Sequence, residues 1–252
     1  MQRYREWAVT HAGATRTHNE DAMVCRADLG LWAVADGAGG HQMGEVASAM
    51  IADALRSIPA SLTAEETLTQ VRMRVSAAHH ALHVKAAEAG EGSVIASTVV
   101  VMLARNAHFA CLWAGDSRAY RLRAGRLSQI TRDHSLVQEL VDAGAITQAA
   151  AESHPQANVI TRAVGAGTET LELDKVTDRM EPGDRFLLCS DGLCKTLDEK
   201  MIETLLAEAA EPAAALVDAA LFARVRDNVT AVVLEVVEDS AAAPAGQDAA
   251  DG

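Results

Sequence analysis

Four aspartates in this chain stand where an apolar, strand-like run gives way to a loop: Asp36, Asp116, Asp191 and Asp227. Glu20 and Asp21 sit in a polar loop just ahead of another such run, and Arg16 shares that loop. One aspartate at a turn is ordinary. Asp191, however, directly follows the apolar run Phe186 to Cys189, and four acids so placed read as a set that converges on Asp36. Clustered carboxylates resist ionisation unless a cation neutralises them. Oxygen-only donors select hard cations, Mg²⁺, Mn²⁺ or Ca²⁺, over zinc. Two such ions bridged by one carboxylate can hold a hydroxide and clamp a phosphoryl group for in-line attack. Arg16 offers the planar fork that binds phosphate oxygens.

The centre of that set is the stretch Ala33 to His41. The run Leu31 to Ala35 stops at Asp36, and Gly37, Gly39 and Gly40 follow before His41. A strand that delivers one carboxylate to a loop with few side chains lets a ligand approach the backbone closely. A nucleotide is a poor fit, since the P-loop lysine and Ser/Thr are missing and no G-x-G-x-x-G occurs. Gly115 to Ala119 (GDSRA) resembles a nucleophile elbow, with Ser117 as nucleophile and His134 or His154 as base. It lacks the last glycine and the strand–turn–helix context, and is rejected. His79 and His83 lie one helical turn apart and have the spacing for a transition metal. With no acid or thiol beside them, they and His80 read as a solvated face near a helix end.

The elements that must position these groups follow from periodicity and turn chemistry. Glu6–Ala12, Ala22–Arg26 and Leu31–Ala35 read as strands, the last two a hairpin. A helix begins at His41 and stops before Pro59. Thr63-Ala64-Glu65-Glu66 fits a capping box, and Leu68, Val71, Val75, Ala78 and Leu82 form one apolar helical face that runs to about Glu88, ahead of Gly90. Val94–Leu103, His108–Ala114 and Ser117–Arg123 make a meander, with a further hairpin tip at Ala124-Gly125-Arg126. Ser135–Ala143 reads as a short helix, and Ala145–Gly167 as irregular chain long enough to suggest a flap. Strands Leu171–Thr177, Arg185–Ser190 and Val229–Val237 remain, with helices Asp198–Ala209 and Ala213–Arg224 between the last two. Hairpin-like strand groups and paired helices favour antiparallel sheets covered by helices, an α+β architecture in one domain.

The bulk numbers agree with that picture. A chain of 252 residues with 49% hydrophobic but 3% aromatic content builds its core from Ala, Val, Leu and Ile. A net charge of −13 argues against nucleic acid or an anionic membrane as partner, and suits a site that holds cations. Four cysteines without CxxC spacing read as reduced thiols. The stretch Met1 to Gly13 has no apolar h-region, so no signal peptide is expected, and the run Val94 to Ala104 is too short to span a membrane. A cytoplasmic protein is expected. The segment 239–252, poor in bulky apolar residues, is expected to be disordered.

Six motifs together carry a family resemblance: RTHNEDA (Arg16 to Ala22), DGAGGH (Asp36 to His41), GDSRAY (Gly115 to Tyr120), TRDHS (Thr131 to Ser135), CSDGL (Cys189 to Leu193) and DNVT (Asp227 to Thr230). In this order they resemble the bacterial metal-dependent PPM, or phosphatase 2C-type, serine/threonine phosphatases. The resemblance implies an αββα sandwich spanning residues 1–238, with a flap at about 135–162 that includes His154-Pro155. It implies two core Mn²⁺ or Mg²⁺ ions bridged by Asp36, with a ligand from the Gly37 carbonyl and one through water from Glu20. Asp191 and Asp227 match ligands of the other metal, and Asp116 an acid of a weaker third site. Arg16 matches the phosphate-binding arginine, while Asp21 and Asn228 match supporting positions. The substrates implied are phosphoserine and phosphothreonine proteins, opposite a bacterial serine/threonine kinase in growth signalling or secretion-system control, with the enzyme a monomer.

Two departures stand out. Ala38 occupies the place of a histidine thought to protonate the leaving group in some eukaryotic members, so either metal-bound water does that job or another group does, with His41 and His134 as candidates. Ala96 replaces a usual glycine. The rival from another class is a catalytically weak, phosphatase-like regulatory binding module. It predicts a lost metal acid or a lost Arg16, and neither is lost.

Overall fold

The computed structural model describes residues 3–39, 43–90 and 92–237. Its strands are β1 (Arg3–His11), β2 (Asp21–Arg26), β3 (Leu31–Gly39), β4 (Ile95–Ser97), β5 (Val99–Arg105), β6 (His108–Ala114), β7 (Arg118–Arg123), β8 (Arg126–Gln129), β9 (Asp174–Arg179), β10 (Arg185–Cys189) and β11 (Val229–Val237). Its helices are α1 (Met43–Arg56), α2 (Ala64–Ala89), α3 (Leu136–Asp142), α4 (Gln148–Glu152), α5 (Asp191–Cys194), α6 (Glu199–Glu208) and α7 (Pro212–Phe222). One sheet runs β1-β11-β10-β7-β8, and the other β2-β3-β5-β6-β9 with β4 paired to β3. Every pairing is antiparallel.

Period-two alternation explains the layers. On β3, Leu31, Ala33 and Ala35 join α1 and α2 in one apolar cluster, while Trp32 and Val34 face the opposite way. On β10, Phe186 and Leu188 meet Trp32 and Val34 between the sheets, and Leu187 and Cys189 pack with residues of α6 and α7. Each sheet is therefore apolar on both faces, with one face against the other sheet and one under helices. That is the expected αββα sandwich. Phe109 and Phe186 meet edge to face across the middle, with centroids 5.1 Å apart.

Several local readings shift. The strand carrying Asp36 does not end there: β3 continues through Gly39 and pairs Gly37 with Ser97, Ala38 with Ala96 and Gly39 with Ile95. The glycine stretch is thus an extended ribbon up to Gly39, and the two alanine departures are direct cross-strand partners. The predicted strand Val94–Leu103 appears as β4 and β5 in one register, and Thr98 between them still donates its N–H to the Asp36 carbonyl at 2.9 Å. Within the stretch read as irregular, Thr147 caps a short helix, α4. The strand expected at Leu171–Thr177 lies later, at Asp174–Arg179, because it is set by pairing with β6. The tip at Ala124-Gly125 is a two-residue hairpin between β7 and β8, both residues at positive φ. His41 and the tail 239–252 lie outside the described residues.

Candidate active site

The acids gather at one end of the sandwich, where both sheets contribute. Asp36 and Asp21 are cross-strand partners on β3 and β2. Asp191 opens α5 directly after β10, and Asp227 precedes β11. Asp116 sits in the turn between β6 and β7. The Asp36 carboxyl is held well above the ordinary range, first by burial and then by the charges of Asp21, Asp191, Asp116 and Asp227. All four acids therefore lie close enough to act on it.

Backbone and hydroxyl contacts fix Asp36 in place. Its N–H donates to Thr98 Oγ1 at 3.1 Å, and its carbonyl accepts from the Ser97 hydroxyl at 3.0 Å. Thr98 Oγ1 in turn lies 2.7 Å from the Ser117 hydroxyl, which is buried. Ser117 is thus a structural brace, not the nucleophile of the elbow reading. The Asp21 Oδ2 accepts from Ser190 at 2.8 Å and Thr230 at 2.6 Å. Burial pushes the Asp21 carboxyl up to about 7 against those two hydroxyls, which hold it down.

The loop before β2 is pinned by Asn228. Its Oδ1 accepts the Glu20 N–H at 2.8 Å, and its amide donates to the carbonyls of His18 and Ala12 at 2.9 and 3.1 Å. Close backbone approach does the rest. The Gly37 N–H donates to the Glu20 carbonyl at 3.1 Å. A Cβ on Gly37 would stand 2.0 Å from the Gly44 carbonyl oxygen, and one on Gly192 2.0 Å from that of Asn228. Glu20 itself lies against this glycine pair, its carboxyl carbon 2.9 Å from where a Gly44 Cβ would be.

Arg16 and Lys195 supply the positive charge. Arg16 forks Asp227, with Nη2 to Oδ2 and Nε to Oδ1 both at 3.0 Å, and is drawn electrostatically by Glu20 and Asp36 as well. Lys195 Nζ donates to Asp191 Oδ2 at 2.7 Å, Asp116 Oδ2 at 2.8 Å and Asn158 Oδ1 at 3.1 Å. Among the described residues no group of three or more His, Cys, Asp or Glu side chains stands in a ready-made metal cluster, and Asp227, Asp116 and Asp191 are instead paired with Arg16 and Lys195. The donor set nonetheless suits hard cations: it is all oxygen, and Asp21 Oδ1 and Asp116 Oδ1 are buried without a hydrogen-bond partner.

The histidines resolve differently from expectation. His134 Nδ1 accepts the Gly115 N–H at 3.1 Å, its Nε2 faces Asp174 at 3.3 Å, and its ring stacks on Trp113. It braces the turn that carries Asp116. His79 belongs to no solvated face: it is buried, accepting the Gly165 N–H at Nδ1 and meeting the Thr168 carbonyl at Nε2, both at 2.9 Å. Sequence reasoning missed Lys195, whose clue was its place four residues after Asp191, and gave no role to Ser190 and Thr230, which lie inside the CSDGL and DNVT motifs without being acidic themselves.

The family model for protein phosphatase 2C matches residues 10–231. The chain belongs to that family. It is 39% identical over 228 residues to the serine/threonine protein phosphatase PstP of Mycobacterium tuberculosis, covering 90% of this chain but 44% of that protein. It thus spans less than half the length of that relative. The solved PstP catalytic domain, in complex with two manganese ions, superposes at a TM-score of 0.83 with 35% identity, over 94% of this chain and 100% of that one. Against the serine/threonine phosphatase Stp of Listeria welshimeri, identity is 33% over 90% of this chain and 93% of the relative. A solved structure of PppA, described as a key regulatory component of the T6SS in Pseudomonas aeruginosa, matches at a TM-score of 0.85 and 41% identity, over 92% of this chain and 97% of that one.

Proposed function

We propose that this chain is a metal-dependent protein-serine/threonine phosphatase acting on phosphoserine and phosphothreonine with Mn²⁺ or Mg²⁺. The observation that carries this reading is the convergence of Asp21, Asp116, Asp191 and Asp227 on the half-buried Asp36, with Arg16 at the rim. Asp36, the Gly37 carbonyl and Glu20 would hold one side of the core ion pair, Asp36 with Asp191 and Asp227 the other. Bound there, such ions supply Lewis acidity and an activated water for phosphoryl hydrolysis. Asn228 and the glycine contacts keep the Glu20 loop pressed against Asp36. Arg16 is half exposed, so exchanging Asp227 for phosphate oxygens costs little. Ala38 offers no proton at its position. Among the described residues no helix is long and apolar enough to cross a membrane.

The reading covers a catalytic domain of residues 1–238 with a flap at 135–162, working as a monomer in the cytoplasm. Its partners are phosphorylated Ser/Thr proteins and a cognate kinase. Likeness to PstP and Stp supports a general kinase-opposing role, and likeness to PppA supports secretion-system control. The test is hydrolysis of a phosphothreonine peptide with Mn²⁺, with EDTA, and by Asp36→Asn. Turnover should require Mn²⁺ and fall more than about 100-fold in the variant, beyond the usual loss for a residue that only supports a ligand. Folded protein with no Mn²⁺-dependent turnover returns the chain to the binding-module reading.

A further inference from the structure

Lys195 is the one group of the site that nothing above has used. It follows α5 directly, one turn beyond Asp191, so its position relative to that acid is set by helical geometry. An ammonium has three protons and no lone pair. Here all three find acceptors, from three parts of the chain: Asp191 on α5, Asp116 in the β6–β7 turn and Asn158 in the flap. Asp116 is 1% exposed and its Oδ1 has no hydrogen-bond partner among the described residues, so its charge depends on Lys195 for compensation.

We infer that Lys195 is a built-in cation that stands where a further metal ion would bind between Asp116 and Asp191, and that it ties the flap to the metal centre through Asn158. This rests on the phosphatase reading. The Asp116 and Asp191 oxygens bonded to Lys195 cannot serve a divalent ion in the same place at the same time, and the ammonium repels one. The chain therefore takes up its two core ions and no third. Because the same ammonium also grips Asn158, the state of this pair of acids is transmitted to the segment beside the substrate.

The experiment counts Mn²⁺ bound per folded chain by equilibrium dialysis and metal analysis, for wild type, Lys195→Arg, Lys195→Met and Lys195→Gln. Wild type and Lys195→Arg should bind two ions, and Lys195→Met and Lys195→Gln three. Two neutral replacements guard against one failing to fold. Amide hydrogen exchange over residues 154–160 should also quicken in both neutral variants without metal. Three ions in the wild type, or two in the folded neutral variants, overturn the inference, and unchanged exchange overturns the tether. A wild type that binds no Mn²⁺ brings down the phosphatase reading itself, and the inference with it.

Discussion

Asp36 is positioned through its backbone and neighbours, which leaves its carboxylate for ligands. The same division of labour holds at Asn228, whose side chain spends every bond on the Glu20 loop and whose neighbour Asp227 carries the charge. Asn228→Ala should therefore weaken Mn²⁺ binding by about 10–100-fold, as losing a group that orients a ligand does. It should also cost about 1–3 kcal/mol, because buried donors and acceptors lose their partner. Titration calorimetry and urea unfolding separate the two effects. The acids were legible from sequence because charge at the end of an apolar run is conspicuous. Lys195 was not, since a lysine after a helical turn is ordinary until its three acceptors are seen to come from distant segments. Ala38 and Ala96 were legible as departures, but their pairing needed the register of β3 with β4.

Elements with strong periodicity or capping were readable, and α2 shows why: Thr63 and Glu66 close a capping box, and the apolar stripe follows. Short elements fixed by tertiary contacts were not. The turn α5 exists because Gly192 lets it lie on the Asn228 carbonyl, and β3 extends past Asp36 because β4 lies alongside. His79 was misread because its partners, Gly165 and Thr168, are remote in sequence. It ties α2 to the loop whose Val164 bridges Ser97, next to Asp36. To accept the Gly165 N–H, Nδ1 must be unprotonated. Burial holds the imidazole below its ordinary 6.5, with His83 and His80 adding to the effect against the Thr168 carbonyl. As pH falls through about 6.5 the unfolded chain takes up this proton before the native one does. The His79 contribution to stability should decline from there downward, until native His79 also protonates. Lowering the pH from 7.5 to 5.5 should therefore shift the urea midpoint of wild type downward relative to that of His79→Gln. The remaining slope is set by His134, depressed in the same direction, and by the raised carboxyls of Asp21 and Asp36, which act in the opposite one.

At the scale of the molecule, the site lies where two sheets meet, and the chain carries a net charge of −13. Asp36 and Asp21 come from one sheet and Asp191 and Asp227 from the ends of strands in the other, so cations bound among them join both halves of the sandwich. The sheet-to-sheet contact itself is built of apolar side chains, Trp32, Phe186 and their neighbours, whose burial is driven by exclusion from water rather than by a bound ion. The fold should therefore survive chelation but lose stability. Ligand that binds only the native state at a hundred times its Kd adds about 2.7 kcal/mol. For a domain of this size each kcal/mol moves Tm by about 2–4 °C. Saturating Mn²⁺ should thus raise the midpoint of EDTA-treated protein by about 5–11 °C, read by differential scanning calorimetry. Asp36→Asn should lose most of that rise and unfold no earlier than the metal-free wild type, because the substitution removes a carboxyl whose ionisation its surroundings and acidic neighbours oppose. A metal-free variant that unfolds well below the metal-free wild type would instead make Asp36 a structural group, with its ligand role secondary.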